Sequence, residues 1–136
     1  MDKALNYLAL ARKGGMAELG EEPVGGAARA GKAYVILVAS DAGDHTWRRA
    51  KAFAAGPDQQ ALKMPYTKDE MGMATGRTAL AIAAITDVAM ALALAASLPQ
   101  APTESLEILK AKAEKQKQRK KEAQAHKKNV RFGKKK

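Results

Sequence analysis

Residues 33–40 read AYVILVAS, a continuous apolar and β-branched run without a single charge. A strand with one wet face alternates apolar and polar residues, whereas an unbroken run suits a strand covered on both faces. This segment is predicted to be a central strand at the middle of the core. LAIAAIT at 80–86 has the same character, and ALKMPY at 61–66 is compatible with a shorter strand.

The segments between these runs carry helical signals. Residues 3–13, KALNYLALARK, bring Leu5, Leu8 and Ala9 onto one face and end at Arg12, with Gly14-Gly15 as a stop. MAEL (16–19) leads into GEEPVGGAARAGK, where Glu21 and Glu22 suit a helix first turn, Pro23 its start and Gly31 its end. Gly25 and Gly26 each weaken that helix by roughly 1 kcal/mol relative to Ala, so something other than propensity selects them. DHTWRRAKAFAAG lines Trp47, Ala50 and Ala54 along one stripe and leaves Arg48, Arg49 and Lys51 outside, until Gly56-Pro57-Asp58 breaks it. Thr67 to Glu70 is a capping-box pattern for a fourth helix that Gly76 ends, and Thr86-Asp87 caps a closing helix, DVAMALALAAS. Helix and strand alternate, which predicts an α/β fold: a small sheet of about four strands layered between helices.

The chain has 136 residues, enough for one domain and an appendage. Its formal charge of +10 is very unevenly placed: residues 1–100 hold 11 Lys and Arg against 10 Asp and Glu, residues 101–136 hold 13 against 4. LPQAP breaks the pattern, giving an expected domain at 1–98, a linker at 99–102 and a basic tail at 103–136. Thr103, Glu104 and Glu107 can cap a long helix there, but apolar residues other than alanine stop at Leu109, and no buriable face follows from Lys110 to Lys128. The tail is expected to be a solvated helix fraying into disorder. Lys117, Arg119, Lys120, Lys121, Lys127, Lys128 and Arg131 are its candidate non-specific phosphate contacts, with salt-sensitive affinity for nucleic acid.

Several classes are disfavoured. No cysteine is present, so there is no disulfide framework, thiolate metal site or cysteine nucleophile, and a reducing cytoplasm is the expected setting. The first residues lack the basic start and longer apolar core of a signal peptide. Ala79 to Leu98 is apolar enough to suggest a membrane span, but Asp87 near its middle would cost roughly 2.5–3.5 kcal/mol there. His45 and His126 have no partner pattern for catalysis, no metal-ligand spacing stands out, and no cofactor is expected. Glu21 and Glu22 would repel a phosphate from their helix start. They could accept hydrogen bonds from base amino groups, or simply complement the helix dipole.

GEEPVGGAARAGKAYVILVASDA, together with the opening helix and EMGMATG before an apolar strand, resembles the kink-turn-binding ribosomal-protein superfamily, the L-seven-Ae and L-thirty-e group, and most closely its small bacterial YlxQ-type branch. The resemblance spans about residues 3–96. It implies a three-layer α-β-α sandwich with a mixed sheet. It also implies RNA contact through the start of the second helix, Gly20, Glu21, Glu22, Gly25 and Gly26, and through the loop Arg77, Thr78 and Ala79 that follows Met71 to Gly76.

The chain departs from the pattern where kink-turn binders carry Asn, Glu and Lys, since it has Glu22, Pro23 and Gly26. An ionised Glu only accepts hydrogen bonds, and Pro and Gly offer no polar side chain. The function implied is non-catalytic RNA binding in the ribosome or translation apparatus, with ribosomal or another structured RNA as partner and a monomeric chain. The alternative is a protein-interaction adaptor on the same fold whose tail alone touches nucleic acid.

Overall fold

The structure, a computed structural model, describes residues 2–56 and 58–133, with the side chains of the last helix described to residue 123. The elements are α1 (Lys3–Lys13), β1 (Ala17–Leu19), α2 (Glu21–Arg29), β2 (Val35–Val38), α3 (Asp44–Phe53), β3 (Gln60–Lys63), α4 (Lys68–Ala74), β4 (Ile82–Ile85), α5 (Val88–Ala96) and α6 (Thr103–Gly133). The four strands form one sheet in the order β1-β4-β2-β3. Only the β2–β3 pair is parallel, so the sheet is mixed as expected.

Both central strands are buried along their whole length, which is why their sequences do not alternate. Successive side chains point to opposite faces. Val35 and Leu37 of β2, with Ala83 and Ile85 of β4, join Leu5 and Leu8 of α1, Met71 of α4 and Leu94 of α5 in one core. Ile36 and Val38, with Ile82 and Ala84, meet Val24 of α2, Ala50 of α3 and the half-buried Trp47 and Phe53 in the other. The result is the three-layer α-β-α sandwich.

The caps settle the helix starts. Thr67 Oγ1 accepts from the Glu70 N–H at 3.2 Å and Glu70 Oε1 accepts from the Thr67 N–H at 3.0 Å, a complete capping box. Asp87 Oδ2 accepts from the Met90 N–H at 2.9 Å. This cap divides the apolar stretch 79–98 into β4 and α5, and no helix among the described residues is long and apolar enough to cross a membrane. The connection MAEL contains β1, which pairs antiparallel with β4 from Ala17 opposite Ile85 to Leu19 opposite Ala83. Three residues on an edge carry no readable period, so this fourth strand shows only in the pairing.

The terminal segment departs from a free appendage. Leu109 is fully buried in the core with α5, Leu106 packs against the same cluster, and Ser105 Oγ donates to Gln60 Oε1 at 2.9 Å. Lys112 reaches Asp58 at 3.5 Å and lies 5.0 Å from the centre of the Tyr34 ring. The packed unit therefore runs past the expected linker at 99–102 into the first turns of α6. The apolar pattern that fades at Leu109 is just long enough to seat the helix. Beyond it the helix continues to residue 133. Leu109→Ala should lower stability by about 2–5 kcal/mol, read as a lower urea midpoint. Truncation at residue 98 should cost at least as much, whereas a free tail would leave both midpoints unchanged.

Candidate nucleic-acid interface

The start of α2 is shaped by Gly20, whose φ of 97° is a conformation that L side chains rarely adopt. Its N–H donates to the Ile82 carbonyl at 3.0 Å and its carbonyl accepts from the Val24 N–H at 3.0 Å, so this residue ties the first turn of α2 to the head of β4. Glu21 and Glu22 follow, both exposed. Glu21 is paired with Arg49 Nε from α3, and both side chains are about half exposed, which makes the pair a weak contributor to stability. Glu22 has no ion-pair or hydrogen-bond partner among the described residues.

The loop 77–79 arrives beside this helix start because α4 lets it approach. A Cβ on Gly72 would lie 2.8 Å from the Ala79 N and Cα and from the Arg77 carbonyl oxygen, all backbone atoms that cannot swing away. The Gly72 carbonyl accepts from the N–H groups of Arg77 at 2.8 Å and Thr75 at 3.0 Å. Buried Thr75 adds its hydroxyl, donating to the Met71 and Gly72 carbonyls at 2.9 and 3.2 Å. Leu80 closes the far side through its N–H to the Lys68 carbonyl at 2.9 Å. Arg77, Thr78 and Ala79 are all exposed, and the N–H groups of Thr78 and Ala79 make no hydrogen bond among the described residues.

Two arginines frame the loop. Arg77 Nη1 stands 3.5 Å from where a Cβ on Gly20 would be, and the Arg12 guanidinium lies 3.5–3.7 Å from the equivalent point on Gly76. The structure thus brings together Gly20, Glu21, Glu22, Arg77, Thr78 and Ala79, and adds Arg12 and Arg49, which no local pattern in the sequence marks as partners of the loop. Arg12 comes to the loop through the packing of α1 on α4, and Arg49 to the start of α2 through the packing of α3 on α2.

The two glycines inside α2 part company. Gly25 is buried beneath Phe53, whose ring carbons would sit 3.2 Å from an added Cβ, so its place is explained by the close seating of α3. Gly26 is half-buried with only the Arg29 guanidinium nearby, at 4.0 Å. On α6, Lys117, Arg119, Lys120 and Lys121 are exposed, while the side chains of Lys127, Lys128 and Arg131 lie outside the described residues.

No protein-family model matches the chain, and no curated protein does. Among solved structures it is similar to a protein of unknown function from Bacillus halodurans C, with a TM-score of 0.61 and 24% identity over 71% of this chain and 97% of the other. It is also similar to the Giardia lamblia 15.5kD RNA binding protein, with a TM-score of 0.54 and 16% identity over 71% of this chain and 82% of that one. At these identities the likeness is one of fold.

Gly72→Ala should be the most disruptive single methyl group at this site. It should lower stability by about 1–3 kcal/mol through overpacking against backbone. Gly25→Ala meets only the tip of a ring and a guanidinium, and should cost less in the same urea series.

Proposed function

We propose that this chain is a non-catalytic RNA-binding protein of the ribosome or translation apparatus. Its folded domain would meet a structured RNA with the start of α2 and the loop 77–79. The observation that carries this reading is the seating of the exposed loop on Gly72, which presents Arg77 beside Gly20 and Arg12 beside Gly76. A rigid loop with two guanidiniums and two open backbone donors suits phosphate oxygens and base edges, because Arg presents a fixed fork of donors to an anion. The fold shared with a Giardia RNA binding protein supports the same reading.

The acidic pair divides the work at this face. Glu21 is held by Arg49, so its charge is largely offset. Glu22 stands open as an acceptor for a base amino group. With Glu22, Pro23 and Gly26 where kink-turn binders carry Asn, Glu and Lys, recognition here rests on the arginine-framed loop more than on the α2 side chains.

The test is a salt titration of full-length chain against a kink-turn RNA, the same RNA with its G·A pairs disrupted, and a plain duplex. Arg77→Ala should weaken binding to all three by about tenfold, the worth of a charge-assisted hydrogen bond, and lower the salt slope by about one phosphate contact. Glu22→Ala should instead alter the ranking among the three RNAs. Lys32→Ala, an exposed cation after the far end of α2, is the control. A loss in Arg77→Ala no larger than in Lys32→Ala would remove the loop from the interface.

A further inference from the structure

The arginine-framed loop and the basic stretch of α6 lie at opposite ends of the sheet. The arginine-framed loop sits at the Ile82 end of β4, where Gly20 pairs with Ile82 and the Ala39 N–H donates to the Ala81 carbonyl at 2.9 Å. The other end is marked by Tyr34, whose N–H donates to the Ile85 carbonyl at 3.1 Å and whose carbonyl accepts from Gln60 at 3.1 Å. Helix α6 is anchored at this second end through Ser105 on Gln60, Lys112 on Asp58, and the Lys112 ammonium over Tyr34.

The direction of α6 follows from the same contacts. A groove of about 580 Å³ is lined by Tyr34, Asp58 and Val88 on the domain and by Lys112, Lys115 and Arg119 on α6. Val88 is the first residue of α5, immediately beyond the Ile85 end of β4, so the helix passes that end as it leaves the packed unit. Beyond Arg119, residues 120–133 reach about 20 Å further at 1.5 Å per residue, more than the length of a four-residue strand. Lys115, Lys117, Arg119, Lys120 and Lys121 are exposed along this arm with Glu114 and Glu122 as the nearby acids.

We propose that the protein is two-ended: a structured RNA is held at the α2 and loop 77–79 end while the α6 arm takes up a second, separate RNA segment, so that one chain bridges two RNAs. This rests on the RNA-binding reading above. Charge complementarity selects the occupant of the arm, since a dense row of cations without an apolar face fits a phosphate backbone and gives poor purchase on a membrane.

The experiment mixes full-length chain with a donor-labelled kink-turn RNA and an acceptor-labelled plain RNA duplex, following energy transfer between them and the anisotropy of each. Transfer should rise as protein is added and fall again in excess, when each RNA acquires its own chain. Substituting Gln for Lys115, Lys117, Arg119, Lys120 and Lys121 together, all outside the packed core, should reduce transfer to the level of RNA alone while the kink-turn RNA still binds.

Binding of both RNAs with no transfer at any ratio would overturn the bridge, and the RNA-binding face would still stand if the substituted chain keeps its kink-turn binding. Transfer that survives the five substitutions would also overturn it, as the second RNA would then be held by something other than this row of cations. Loss of all kink-turn binding in the substituted chain would overturn the proposed face together with the bridge.

Discussion

The dominant constraint on this molecule is that β2 and β4 are dry on both sides. Their backbones pair with each other in register from Val35 opposite Ile85 to Val38 opposite Ile82, and every side chain between them enters one of two cores. Two strands of that kind require a helical layer above and a second below. They also require neighbours on their outer edges, because unpaired backbone groups beside a buried strand are costly. β1 and β3 supply those edges, and the two helical layers fix the order of everything else. The loop and the start of α2 converge because both are attached to the same end of β4.

Much of this was legible in advance, for a physical reason in each case. The unbroken apolar runs identify strands that must be covered on both faces, and the capping residues at Thr67 and Asp87 mark helix starts because they satisfy backbone donors that nothing else reaches. β1 was not legible, since three edge residues with Glu18 in the middle carry too little pattern. The seating of α6 was half legible: Leu106 and Leu109 are visible in the sequence as a fading apolar stripe, but whether a stripe so short finds a surface depends on the groove that α5 leaves for it.

The site divides in the same way. Glycines at 20, 72 and 76 stand in a spacing that resembles a known family, and the structure shows what two of them do: Gly20 adopts a positive φ at the helix start and Gly72 yields its side-chain volume to the loop backbone. Arg12 and Arg49 were outside any local motif. Each ends beside the loop or the helix start because a helix distant in sequence packs there. Gly25 ran the other way, grouped with the binding residues by its neighbours and placed by the fold under Phe53. A residue's chemistry is written in the sequence, but its companions are decided by tertiary packing.

The contact between Gly72 and the backbone of residues 77–79 has a consequence for how such a protein can change. The loop takes its shape from main-chain atoms and from a glycine beneath it, and none of its own exposed side chains holds it in place. Arg77, Thr78 and Ala79 can therefore be exchanged for other residues without disturbing the frame that presents them. Selection is left free to rewrite the surface that a partner meets while the architecture stays fixed, and a lineage could move from one partner to another through a few exposed substitutions with little loss of foldedness on the way.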